Sequence, residues 1–160
     1  MFHRWYFCKC QKRGLDIGKT KKGKGTKIMA ITDASGIPLS IWTTGASTHE
    51  VKLVEETIQK RFIKEKQKRI IGDMAYDSDP LDKILKKKKI KLIAPHKSNR
   101  KKEKTQDGRE FRRYCRRWKI ERFFAWIQNY RRCVTRHDYK TENYLAFVQI
   151  ACVLIMTKHF

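Results

Sequence analysis

The chain reads as an α/β protein. One mixed sheet opens as a three-strand antiparallel meander, continues as strands alternating with helices, and is closed by C-terminal helices. Three observations predict this. Short apolar runs rich in branched and aromatic residues, separated by turn residues, fill the segment from Trp5 to Thr44. The apolar period then becomes helical, with Val51, Leu53, Val54, Thr57, Ile58 and Phe62 on one stripe. Beyond it, short apolar strands and helical patterns take turns, which suits one sheet with helices on its faces.

Trp5–Cys10 and Lys27–Thr32 carry the composition of strands. Asp33-Ala34-Ser35-Gly36 supplies a side-chain acceptor and a residue tolerant of positive φ, so it predicts a turn into a return strand over 37–44. Ser47, Thr48, His49 and Glu50 offer cap candidates before the first helix. Residues 68–72 predict a strand ending at Asp73, 80–89 a helix, and 90–94 a strand closed by Pro95. A basic polar loop follows over 97–107, then one long helix over 110–132 and a second, mostly buried helix over 141–158.

The chain has 160 residues, 39 of them Lys or Arg against 16 Asp or Glu, for a net charge of +23. That length suits one domain. A hydrophobic content of 40% is enough for a core, which argues against wholesale disorder. So large a positive charge argues against an enzyme of ordinary small metabolites and for a polyanionic partner, nucleic acid first. Five cysteines at irregular spacing imply no disulfide framework, and Cys8-x-Cys10 lacks the second ligand pair of a zinc site. The longest apolar run, from Tyr144 to Met156, has 13 residues, against the roughly 20 a membrane span requires.

Two carboxylates stand out. Asp73 follows an apolar strand, where open α/β sheets place their sites, although a cap or turn aspartate fits the same position. Glu121 lies on a helical wheel with Tyr114, Arg117 and Gln128, beside a core sector of Ile120, Phe123, Phe124, Ile127 and Tyr130. It could form a simple i, i+4 ion pair with Arg117 or aim into a cleft where Arg117 and Tyr114 hold a phosphate. The Gly18–Lys27 segment is not a nucleotide-binding loop. Gly14 lies four residues before Gly18 rather than five, and the segment runs into a strand. A basic hairpin that follows a nucleic-acid backbone fits better.

Five blocks carry a resemblance: residues 18–27, Asp33–Leu39, Gly72–Asp79, Ile93–Arg100 and Arg116–Trp126. In this order they resemble the DDE transposases of bacterial insertion sequences, nearest the insertion-sequence-five family, over almost the whole chain. The resemblance implies a ribonuclease H-like core spanning residues 1–160 as a single catalytic domain, without the helical DNA-binding region that commonly precedes it. It implies cleavage of DNA at element ends and strand transfer by two divalent metals, magnesium or else manganese. Asp73 and Glu121 correspond to the second and third metal-holding acids. Tyr114, Arg117 and Glu121 match the Tyr-x2-Arg-x3-Glu signature, whose usual later lysine is Gln128 here.

The first acid departs from the pattern. Arg4-Trp5-Tyr6 holds its place, and no acid precedes Asp16. The expectation is a transposase core with impaired activity. The alternative is a non-catalytic DNA-binding remnant that competes with an intact transposase. Tyr114, Arg117, Lys19, Lys21, Lys22, Lys24, Lys27, Lys97 and Arg100 are the candidate phosphate contacts. Expected partners are double-stranded DNA of the terminal inverted repeats and the target, with a second copy or an upstream transposase fragment. The expected location is the bacterial cytoplasm and nucleoid, with no membrane partner.

Overall fold

The structure is a computed structural model that describes residues 1–11, 14–63, 67–100, 103 and 112–159. In chain order it contains β1 (Phe2–Cys10), β2 (Gly18–Thr20), β3 (Gly23–Thr32), β4 (Pro38–Gly45), α1 (Glu50–Gln59), β5 (Arg69–Ile71) and α2 (Asp79–Lys87). β6 (Lys91–Ile93), α3 (Trp118–Gln128), α4 (Arg131–Val134), β7 (Thr135–Arg136) and α5 (Thr141–His159) complete it. The strands form one mixed sheet, ordered β2-β3-β1-β5-β6, with β4 also on β3 and β7 also on β1. The meander β1-β3-β4 is antiparallel, from Phe2↔Thr32 to Lys9↔Gly25 across its first pair. β5 and β6 run parallel to each other, and β5 joins β1 in parallel at Phe2↔Ile71.

The central strand β3 is buried on both faces, which explains its unbroken apolar run. On one face Phe2, Cys8, Ile28, Ala30 and Ile41 pack against Ile120, Phe123, Phe124 and Ile127 of α3 and against Tyr144, Val148 and Ile155 of α5. On the other, Ile31, Ile70 and Leu92 meet Val54 and Ile58 of α1 and Leu81 and Leu85 of α2. Alternation along β1 therefore sends Phe2, Arg4, Tyr6 and Cys8 toward α3, and His3 and Trp5 the opposite way. The predicted turn forms around Asp33, whose Oδ1 accepts the N–H groups of Ser35, Gly36 and Ile37 at 2.8, 2.8 and 2.9 Å. Of the cap candidates before α1, His49 is the one used, accepting from the Val51 N–H at 3.4 Å.

Three expectations need correction. The single long helix over 110–132, of which Glu110 and Phe111 fall outside the described residues, is interrupted: a 3-10 turn covers Cys115–Arg117, α3 stops at Gln128, and Tyr130 is extended (φ −97°, ψ 105°) before α4. Tertiary demands account for that break. The chain must redirect so that Cys133 enters the core and β7 pairs with the end of β1 (Lys9↔Thr135, Cys10↔Arg136). Arg136, fully buried, secures the junction by donating to Thr26 Oγ1 at 2.7 Å and to the carbonyls of Asp138 and Tyr139 at 3.0 Å. Second, α5 is buried along one side only, and Ile150, Val153 and Leu154 are exposed. Third, the strand predicted over Lys27–Thr32 begins earlier, at Gly23, so the basic hairpin of the glycine–lysine segment forms as part of the sheet. β2 pairs with β3 through Gly18↔Gly25, Lys19↔Lys24 and Thr20↔Gly23, with Gly23 at φ +104° where a side chain would be strained. All five cysteines are free thiols, and no helix among the described residues is long and apolar enough to cross a membrane.

His3 makes a stability prediction. Its ring is fully buried, edge-on to Tyr76 with centroids 4.8 Å apart, and neither ring nitrogen has a hydrogen-bond partner among the described residues. Burial drives its pKa down to about 3, against an opposing pull from Glu50. The unfolded chain takes up this proton below the ordinary value of 6.5, while the folded chain resists until about pH 3. Stability should therefore fall as the pH drops through that window, by up to about 1.4 kcal/mol per pH unit from this group. Urea unfolding of His3→Phe at pH 7 and pH 4.5 should show a shallower acid loss than the parent; an equal loss would refute the assignment.

Candidate functional site

A cleft of about 600 Å³ opens where β1, the end of β5 and α3 meet, lined by Arg4, Trp5, Tyr6, Phe7, Lys22, Asp73, Glu121, Phe124 and Gln128. Three elements deliver its charged groups. α3 is pressed onto the sheet by Ile120, Phe123, Phe124 and Ile127, and Tyr6 of β1 stacks on Phe124 at 6.0 Å. Lys119 and Arg122 tether the same helix to the Ala34 and Ser35 carbonyls of the β3–β4 turn. Glu121 is thereby held at the cleft edge of α3.

Asp73 arrives by a different route. β5 ends at Ile71, and Gly72 passes so close to Tyr76 that a Cβ there would lie 2.7 Å from the ring. This contact lets the chain turn sharply into the 3-10 turn Met74–Tyr76. Asp73 caps that turn, its Oδ1 accepting the Ala75 N–H at 2.9 Å. Asp73 thus makes the local contact its position allows, as a cap, and it also lines the cleft. Glu121 likewise combines a local contact with a place in the cleft. Arg117 Nε sits 3.2 Å from its Oε1, the i, i+4 pair, and the carboxylate also faces the cleft. Arg117 Nη1 donates to Tyr114 Oη at 2.6 Å and its guanidinium lies over the Tyr114 ring, so the three signature residues form one connected group.

The third contributor is Arg4. From the α3-facing side of β1 its Nη1 donates to Glu121 Oε1, the same oxygen that Arg117 approaches. Arg4, at the place where the family resemblance expects the first acid, is thus engaged with Glu121, and no sequence signal indicated that pairing.

The basic candidates divide. Lys19, Lys21, Lys22 and Lys24 are exposed on the β2–β3 hairpin, and Lys22 reaches the cleft wall. Lys27 does not join them. It is buried, donates to the Thr48 carbonyl at 2.6 Å, pairs with Glu50 at 3.3 Å and covers the Trp5 ring, which removes it from the phosphate-contact set. Arg100 is committed likewise, donating to Asp77 Oδ1 and Asp79 Oδ1 at 2.8 Å each. Asp77 also accepts the Lys97 N–H at 2.9 Å and lies 3.0 Å from His96 Nδ1. Burial alone would raise the Asp77 pKa, but the Lys97 N–H, His96 and Arg100 together hold it below the ordinary carboxylate value. This clasp fixes the segment after β6, leaving Lys97 exposed at its rim. No local pattern announces it, because its partners lie about 20 residues apart.

The cleft thus carries two carboxylates, one just after a sheet strand and one on a helix packed against the same mixed sheet. The chain belongs to the transposase DDE domain family, which it matches over residues 6–156. It is 27% identical over 139 residues to a protein named as a transposase for insertion sequence element IS402 of Burkholderia cepacia, covering 82% of this chain and 62% of that one. It is 28% identical over 130 residues to the corresponding protein of IS6501 from Brucella ovis, covering 81% of this chain and 96% of the relative. Among solved structures it resembles the piggyBac transposase, from a synaptic complex with hairpin DNA, at a TM-score of 0.61 and 13% identity, over 95% of this chain and 45% of that one. That likeness establishes a ribonuclease H-like fold. The chain therefore spans about three-fifths of the IS402 protein and under half of the piggyBac chain.

The family works with divalent cations, but the residues present do not fit such a site. Among the described residues only two carboxylates line the cleft, one is engaged by Arg4, and one oxygen of the other caps a turn. No group of three His, Cys, Asp or Glu side chains suited to a metal gathers among the described residues. The Arg4 guanidinium repels a dication and occupies a carboxylate that would bind it.

Proposed function

We propose that this chain is a transposase catalytic-core domain that, with Arg4 in place, binds the ends of its insertion element without cutting them. The observation that carries this reading is the Arg4 guanidinium on Glu121, inside the cleft that Asp73 also lines. Arg4, Lys22 and Arg117 give the cleft and its rim a cationic lining suited to phosphodiester oxygens. The exposed lysines of the β2–β3 hairpin extend that lining. Such a protein would occupy terminal repeats and compete with an intact transposase.

The complete family reaction, strand cleavage and transfer with magnesium or manganese at Asp73 and Glu121, is the second reading. It is favoured by the two acids sharing one cleft. One experiment separates the two. Duplex DNA carrying the element's terminal repeats is titrated with the protein in EDTA and in magnesium, and the products are resolved on a denaturing gel. The first reading expects equal affinity in both buffers and intact strands. Magnesium-dependent nicking at the repeat end would overturn it in favour of the second.

A further inference from the structure

A second groove lies beside the cleft. Phe2 lines it, and Phe2 and Arg4 point to the same side of β1, about 7 Å apart along the strand. The groove encloses about 310 Å³, and its wall includes Gln67, Lys68, Arg69, Arg113 and Arg116. The four cationic side chains are exposed, and no carboxylate is found among the described lining residues. Gln67 differs from them. It is 3% exposed, and neither oxygen nor nitrogen of its carboxamide has a hydrogen-bond partner among the described residues. Folded proteins seldom bury an amide in that state, and a bound ligand, ion or water can satisfy it.

We infer that this groove binds a phosphodiester segment of DNA that continues out of the cleft. The inference rests on the DNA-binding reading above and adds a site to it. Phosphate oxygens accept hydrogen bonds and carry charge. Arg69, Arg116 and Lys68 supply charged donors at the rim, and the Gln67 amide nitrogen supplies a neutral donor at the wall. Arg116 and Arg117 are neighbours in one 3-10 turn, so a strand crossing from groove to cleft meets consecutive guanidinium groups. A volume of this size accommodates one or two backbone units rather than a folded partner.

The test is fluorescence anisotropy on a terminal-repeat duplex between 50 and 200 mM salt. Each lost phosphate contact should shrink the log–log salt slope by about 0.9. Arg69→Gln/Arg116→Gln should therefore reduce it by about 2. Lys86→Gln/Lys87→Gln, which removes the same charge from the far end of α2, should leave it unchanged. Gln67→Leu should weaken binding about tenfold, while its melting temperature stays level or rises because the unsatisfied amide is gone. If the parent binds and the arginine pair leaves the slope intact, or the α2 pair lowers it equally, the groove assignment is wrong. If Gln67→Leu melts as high as the parent and binds as tightly, the amide has no ligand and the assignment is likewise wrong. A parent that does not bind the duplex at all refutes the underlying DNA-binding reading instead.

Discussion

Arg4→Asp is expected to turn a cleft that rejects dications into one that holds them. The substitution does two things at once. It releases Glu121 from the guanidinium that engages it, and it places a third carboxylate on the β1 face that looks toward α3. The local charge swings by two units in a site that already contains Asp73 and Glu121. Manganese titrated into the parent should show no saturable binding and no thermal shift. In Arg4→Asp, a cation that binds only the folded state stabilises it by about 2.7 kcal/mol at a concentration one hundred times its Kd. For a chain of this size that is a rise of roughly 5–10 °C in Tm. Arg4→Met is the control, since it frees Glu121 without adding a ligand and should gain nothing. Arg4→Asp/Glu121→Gln should lose the gain again. If the parent binds manganese as tightly as Arg4→Asp, the guanidinium does not exclude the cation, and the reading of this chain as a non-cutting binder loses its support.

Replacing Lys19, Lys21, Lys22 and Lys24 together by glutamine should produce the largest change in DNA binding. Lys19 and Lys24 sit directly opposite each other in the β2–β3 register. Like charges facing across two strands are destabilising, so the hairpin carries this pair at a cost to the fold. The variant should accordingly be no less stable than the parent. Its binding should be far weaker, with the salt slope reduced by about 3–4 if each lysine meets a phosphate. Lys27→Gln should behave in the opposite manner. Its ammonium is buried against Glu50 and the Thr48 carbonyl, so its loss should lower stability and leave the slope alone. An unchanged slope in the hairpin variant, or a large slope change in Lys27→Gln, would show that the exposed and buried lysines have been assigned the wrong roles.

The contrast between Lys24 and Lys27 shows where sequence reading stops. Both are lysines on one strand, three residues apart, in a segment of repeated Gly and Lys. Nothing local says that one points into water and the other under Trp5. That depends on Glu50, 23 residues further on, being delivered by the start of α1. Arg100 follows the same logic. In sequence it is one of several basic residues in a polar stretch, and only the turn after Asp73 brings Asp77 and Asp79 within its reach. Glu121 was legible as an edge-of-core carboxylate because helical periodicity reports which side of α3 is buried. Its second partner was not, since Arg4 lies 117 residues away on another element. The end of the long helix at Gln128 was equally hidden, because the need to bring Thr135 and Arg136 beside β1 arises only once the sheet exists.

What the sequence by itself determined was everything that depends on local period and composition: the strand and helix order, the Asp33 turn, the apolar faces of α1 and α3, the positive charge, and the ordered blocks that resemble transposases. These are set by side-chain alternation and by residues near one another along the chain. What only the tertiary structure decided was which charges meet. It brought Asp73 and Glu121 to one cleft, set Arg4 against Glu121, buried Lys27 against Glu50, tied Arg100 to Asp77 and Asp79, and left the Gln67 amide with no partner among the described residues. Those outcomes depend on distances between residues far apart in the chain, and such distances exist only after the two faces of the sheet have been packed.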